Sequence, residues 1–227
     1  FCHKAIVNRT MGIVFRLMEA LDMQMTHLEE ERVMSLKVCE HYTFVPPIPE
    51  DPEDSISYTD ETEQALCFIQ LFPVDKDKVY PFDNNQFIID SIHASLEDDE
   101  GLIEVCNGRT QYDKDFVYTI TKQVKESGGV TYFLTMHLHK GNNYLYVMGT
   151  FEERGITGIR DATVHEYALR EGIIKEMGKG WMKDPYDENF KKGILMNISE
   201  QSRFDSSFPD HPLTQLRNLV SYILENN

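Results

Sequence analysis

Residues 115–153 limit the fold more than any other stretch, because they read as three consecutive antiparallel strands. The runs DFVYTITKQV, VTYFLTMHLH and NYLYVMGTF are dense in β-branched and aromatic residues and are separated by ESGG and KGNN, the pattern of strands joined by tight turns. Gly141-Asn142 suits a two-residue hairpin loop, which sets Lys140 opposite Asn143. Counting back from that turn, Leu138 faces Leu145 and Met136 faces Val147, while on the other side of the pleat His139 faces Tyr144 and His137 faces Tyr146. The turn at Gly128-Gly129 then adds Phe116, Tyr118 and Ile120 to the side bearing Leu134, Met136 and Leu138. One face is apolar throughout. The other carries Val117, Thr119, Phe133, Thr135, His137, Tyr146 and Met148, a mixed surface suited to partial cover or to binding.

The flanks are expected to supply helices. Residues 4–25 place Ile6, Val7, Met11, Val14, Phe15, Met18 and Leu21 on one helical stripe. Residues 32–45 are closer to a strand or strand pair. PPIPEDPED, residues 46–54, combines four prolines with four acids, which excludes a helix or central strand and reads as a linker. Residues 63–74 predict a strand stopped by Pro73. Asp83 or Asn84 then caps a helix with Phe87, Ile88, Ile92 and Leu96 inward, closed by EDDE before Gly101, although acids at a helix C-terminus oppose its dipole. GLIEVCNG is a short strand leading into the meander. Beyond the meander, Thr157 or Asp161 caps a helix to about Met177 with Val164, Tyr167, Ala168 and Ile174 as its apolar positions, and Gly172 weakens its later half. Residues 178–209 read as irregular. Asp210 caps a last helix with Pro212 in its first turn and Leu213, Leu216, Leu219, Val220, Ile223 and Leu224 on one side.

The expected protein is therefore α+β, an antiparallel sheet with a central three-stranded meander covered by helices. Residues 1–45 would be a helical extension ending in a strand, 46–54 a linker and 55–227 the α+β domain. Across residues 63–168, the succession FIQLFP, NNQFIIDSI, YTITK, YFLTMHLH, YLYVMGTFEE and GITGIRDAT resembles the PsbP-like sandwich fold, shared by a photosystem extrinsic protein, a Ran-binding nuclear-import factor and assorted bacterial lipoproteins. The resemblance rests on element order over a little under half of the chain. It implies an α/β/α sandwich and a non-enzymatic binding or accessory role, and it carries over no site residue.

Chemistry-bearing patterns are few. His137 and His139 lie two apart on one strand face, about 7 Å along it, the spacing by which strands offer two imidazoles to one metal ion. The residues facing them are tyrosines, so an exposed or tyrosine-stacked pair is the preferred reading. Thr157, Gly158 and Arg160 mark a helix start where free amides and a cation can hold an anion, and a tight strand-to-helix turn explains the same glycines. Neither a phosphate-binding GK[ST] loop nor a GxGxxG turn is present. Asp184, Asp187 and Glu188 lack the alternation of a calcium loop and read as a polar turn. GxSxG is absent, and His211 is expected at the start of the last helix, with Phe208 packing back on it.

A net charge of −16 opposes a polyanionic partner, and no basic run interleaved with aromatics exists, so nucleic acid is not expected. Cys2, Cys39, Cys67 and Cys106 are scattered without a CxxC pair, which implies reduced thiols and a cytoplasmic location. No stretch approaches a membrane span. These readings converge on a non-enzymatic module acting through a protein partner at the face bearing Phe133, Thr135, His137, His139, Tyr144, Tyr146 and Met148, without cofactor. The alternatives are a metal-dependent enzyme using His137 and His139, and an acidic toxin-neutralising immunity protein.

Overall fold

The computed structural model describes residues 36–140, 143–176 and 178–227. The expected helix over residues 4–25, Cys2, the loop residues Gly141 and Asn142, and Met177 lie outside the described residues. Within the unit Lys37–Asn227, seven strands form one antiparallel sheet in the order β1-β2-β3-β7-β6-β5-β4. The strands are β1 (Thr43–Val45), β2 (Ile56–Glu61), β3 (Ala65–Val74), β4 (Glu100–Arg109), β5 (Asp115–Val124), β6 (Val130–Lys140) and β7 (Asn143–Glu153). Helices α1 (Asn85–Ser95), α2 (Ile159–Arg170) and α3 (Pro212–Asn226) flank it. The three-stranded meander is thus part of a four-stranded one that starts at β4, and β7 closes it onto β3.

The hairpin register is as the turn dictates: Lys140 pairs with Asn143, Leu138 with Leu145, Met136 with Val147 and His137 with Tyr146. Phe116, Tyr118 and Ile120 face Leu138, Met136 and Leu134. On this apolar side Leu134, Met136, Leu138, Leu145 and Val147 are fully buried. Helix α3 lies over them, as the Cys67 thiol donating to Gln215 and Tyr132 meeting His211 edge-on place it, with Leu213, Leu216, Leu219, Val220 and Ile223 turned inward.

Several boundaries depart from the sequence reading. Residues 46–54, expected as a linker, connect β1 to β2, which pair with each other, within the unit Lys37–Asn227. Pro73 does not stop the β3 ladder, which runs on to Val74 opposite Tyr144. β2 has ended by Leu71, so Pro73 has no neighbour on that side to require its missing N–H. Helix α1 ends at Ser95, before the acidic run, which removes the conflict with the dipole. Its inward residues are Ile88, Ile89 and Ile92, while Phe87 is 56% exposed.

Helix α2 starts after Gly158 rather than at a Thr157 or Asp161 cap. It stops at Arg170 because Gly172, at φ +69°, lets Ile173 N–H reach Ala168 O and Gly172 N–H reach Leu169 O, the paired bonds of a left-handed C-terminal cap. Tyr167 is exposed on its outer side. The cap of α3 is His211, whose Nδ1 accepts from Leu213 N–H, and not Asp210.

Residues 178–209 have little regular structure but many fixed contacts. Asn197 and Glu200 form a reciprocal capping box. Lys122 donates to both oxygens of Glu200 and to Leu195 O, and Tyr132 donates to Glu200 as well. Arg160, almost fully buried, bonds Ser199 O, Thr214, Gln201 O and Asp205. Among the described residues every buried charge has a partner, the condition under which buried ions are tolerated. Further along, the segment closes on the β4 edge, with Tyr186 bonded to the Val105 backbone.

Candidate binding face

The side of the sheet opposite α3 is built of rows that cross the strands. One row is Phe72, Tyr146, His137 and Val117; the next is Gln70, Met148, Thr135 and Thr119; the third is Phe68, Thr150, Phe133 and Thr121. Helix α1 covers one end, where Ile88, Ile89, Ile92 and Leu96 pack with Leu102, Val105 and Val117. At the other end the loop between β1 and β2 reaches over, since Gln70 Nε2 donates to Asp51 and Ser57. Between them Phe68, Phe72, Phe133, Thr135, Tyr146, Met148 and Thr150 are half-buried.

His137 stands where the covered part meets the half-open part. It is 2% exposed, with Tyr80 and Tyr146 edge-on at 5.1 and 4.9 Å, and its Nδ1 is buried without a hydrogen-bond partner. Burial pushes its pKa down to about 4, so the ring is neutral at physiological pH. Tyr146 continues the aromatic line to Phe72 at 4.9 Å, and its hydroxyl lies 3.4 Å from that of Thr135. A second line runs His139, Tyr144, Phe82, with His139 stacked on Tyr144 at 4.9 Å. The two imidazoles are thus each matched to tyrosines, and among the described residues no group of three His, Cys, Asp or Glu side chains is arranged to hold a metal ion.

Two of the three residues at the expected anion position, Gly158 and Arg160, are engaged internally. Gly158 N–H donates to Glu153 at 2.7 Å, Arg160 is held as described above, and Thr157 is exposed. Glu153 also accepts from Val130 N–H, and burial is the main cause that raises its pKa. The Asp184 carboxylate accepts from Tyr186 and Asp187 N–H and meets His93 at 2.9 Å, fastening the 184–190 loop to α1. Tyr80, Phe82, Phe68 and Phe72 belong to the face but were missed by reading the meander alone. Period-two counting along FIQLF would have placed Phe68 and Phe72, whereas VYPF at 79–82 carries no pattern that assigns it to a sheet face.

Charge is unevenly spread around this face. Residues 37–99, which form β1, β2, β3 and α1, hold fifteen of the 38 acids and three of the 22 bases. Residues 100–227 are nearly balanced, with eighteen acids and fifteen bases. Glu50, Glu53, Asp54, Glu61 and Glu63 are exposed, so one side of the aromatic face is strongly negative.

No family model matches this chain, and no curated protein matches it. Among solved structures, PA94 of Pseudomonas aeruginosa, a protein of unknown function, is similar over 59% of this chain and 94% of its own, at 13% identity and a TM-score of 0.33. No helix of the described residues is long and apolar enough to cross a membrane.

Proposed function

We propose that the protein is a non-enzymatic binding or accessory module that docks a protein partner on Phe68, Phe72, Phe133, Tyr146 and Met148. The observation that carries this reading is that these five large side chains are only half-buried on neighbouring strands. Aromatic and Met side chains are enriched at interface cores, and a contiguous apolar patch of this kind is uncommon without an occupant. The acidic surface of residues 37–99 gives the partner's character, an apolar patch ringed by Lys and Arg, because complementary potentials speed encounter and reject acidic competitors. A PsbP-like sandwich and a cytoplasmic setting belong to the same reading, the first supported by element order and the second by the free thiols of Cys39, Cys67 and Cys106.

Selection of displayed peptides tests it. Enriched sequences should combine aliphatic or aromatic residues with Lys and Arg and bind more weakly as salt rises. They should also lose at least about tenfold in affinity for a Phe133→Ser/Met148→Ser variant, since truncating central interface side chains costs above 1 kcal/mol. Enrichment without basic residues, or equal binding to the variant, would sink the proposal. Stoichiometric zinc uptake that depends on both His137 and His139 would replace it with the metal-dependent enzyme.

A further inference from the structure

The segment that follows α2 forms a cleft whose charge runs against the rest of the molecule. Its floor is fixed by the bridge between Met182 and Asn197, with Lys183 N–H donating to Met196 O at 2.9 Å and Ile198 N–H to Trp181 O at 3.0 Å. Trp181 is wedged edge-on against His165 of α2 at 4.8 Å, and Ile198 is rooted in the cluster of Val164, Ala168 and Ile174. Asn197 is held by Asp161, Ser199 and Glu200. These contacts make the cleft preformed. Its volume is about 420 Å³, within the range of small-molecule sites.

Ile173, Trp181, Met196 and Ile198 give the lining an apolar surface, and its charged side chains are Lys183 and Arg203. In a chain with 38 acids against 22 bases, no acid among the described residues lines this cleft. Among the described residues neither cation makes an ion pair. Arg203 lies over the Phe204 ring at 4.7 Å, and stacking of that kind leaves the edge donors of a guanidinium open. Two cations without an ion-pair partner among the described residues, beside an apolar floor, select an anion joined to an apolar body. Lys183 and Arg203 both line the cleft, and an ammonium and a guanidinium fork are the donors that suit a carboxylate.

The geometry points to a binding site for a small organic carboxylate with an apolar body, its carboxylate held by Arg203 and Lys183 and its body lying on Trp181 and Met196. This site is separate from the proposed docking face and rests on different residues, since Glu200, which carries the cleft segment, is bonded to Lys122 and Tyr132 on the α3 side of the sheet.

Trp181 is the only tryptophan of the chain, so its emission reports this cleft without labelling. Titration of the full chain with 3-phenylpropionate should give a saturable change, and the uncharged 3-phenylpropanamide should bind about tenfold or more weaker, since hydrogen bonds to charged groups carry the difference. Lys183→Gln and Arg203→Gln should each weaken the acid by about tenfold, and the double variant should bind acid and amide alike. Both positions are exposed, so thermal unfolding should stay at the wild-type midpoint. The proposal is overturned by no saturable response up to roughly 10 mM, a range beyond useful affinity. Equal affinity for acid and amide in the wild type, or a preference for the acid that survives in the double variant, overturns it as well.

Discussion

Lys122 and Glu200 form an ion pair with almost no access to water, at 2.7 Å between side chains that are 2% and 1% exposed. Leu195 O accepts a further hydrogen bond from the ammonium, and the Tyr132 hydroxyl and the Asn197 backbone N–H donate to the carboxylate. Removing one member strands the other's charge, at a cost of about 3–5 kcal/mol. Lys122→Met should therefore be severely destabilised in urea unfolding, and Lys122→Met with Glu200→Leu should recover most of that loss. A single variant within about 1 kcal/mol of wild type, the weight of a surface pair, would show that the pair is hydrated.

His137 makes stability depend on acid. The unfolded imidazole titrates near 6.5 and the folded one at about 4 because burial disfavours its charge. Between those values the unfolded chain binds the extra proton. Stability is thus fully present above about pH 6.5 and falls as pH drops toward 4, by on the order of 3 kcal/mol. His211, pushed down to about 3 first by burial and then by Arg160 and Arg217, adds in the same direction, while the raised Glu153 opposes both. His137→Leu should flatten this slope by up to one proton and, by removing a buried unpartnered nitrogen, cost little at neutral pH. An unchanged slope in unfolding measured across pH would refute the assignment.

Tyr186 protects the outer edge of the sheet. Its hydroxyl accepts from Val105 N–H at 2.6 Å and faces Val105 O at 3.2 Å, beside the β4 bulge. Tyr186→Phe should cost about 1–3 kcal/mol if the freed groups stay dry, or raise aggregation if the edge opens. Gly101→Ala should be worse, because its Cβ would sit 1.9 Å from Ile194 O. Light scattering with urea unfolding distinguishes the two variants.

Leu138→Ala should cost about 2–5 kcal/mol, since the side chain is fully buried. Phe87→Ala, which removes more carbon, should stay within about 0.5 kcal/mol at its exposed position. Equal losses in paired unfolding curves would contradict the burial pattern of α1.

Cys67 should be inert to thiol reagents in the native protein. It is completely buried, its Sγ lies 2.9 Å from Gln215 Oε1, and burial, with Asp60 adding, pushes its pKa up to about 12. Titration with a chromogenic disulfide should count four thiols in denaturant and fewer when folded. A fast Cys67 signal from native protein would require a reactive site at the sheet.

The hairpin register was legible because one turn fixes every pair behind it. Leu138 opposite Leu145 follows from counting alone, and the burial of Leu213, Leu216, Leu219 and Ile223 from a strong helical period. What escaped were features set by distant chain. Phe87 fits a stripe as well as Ile89 does, and only the position of β4 under α1 decides between them. His211 replaced Asp210 as a cap through a local bond that either residue type can make. Tyr80 joins His137 because the loop after β3 returns across the sheet, which no periodicity encodes. The Trp181 cleft depends on Met182 meeting Asn197 within a stretch that has no pattern at all.

The seam between β3 and β7 orders events in time. Its partners run from Ala65 with Glu153 to Val74 with Tyr144, so β3 leaves the ribosome about 70 to 90 residues ahead of the strand it needs, a delay of roughly 4 to 18 seconds at typical synthesis rates. During that interval ALCFIQLF is a nascent, sticky strand with only β2 beside it, whereas β4 through β7 can zip up locally as they emerge. Fifteen acids against three bases in residues 37–99 give that waiting half a net negative charge, which repels a second copy of itself.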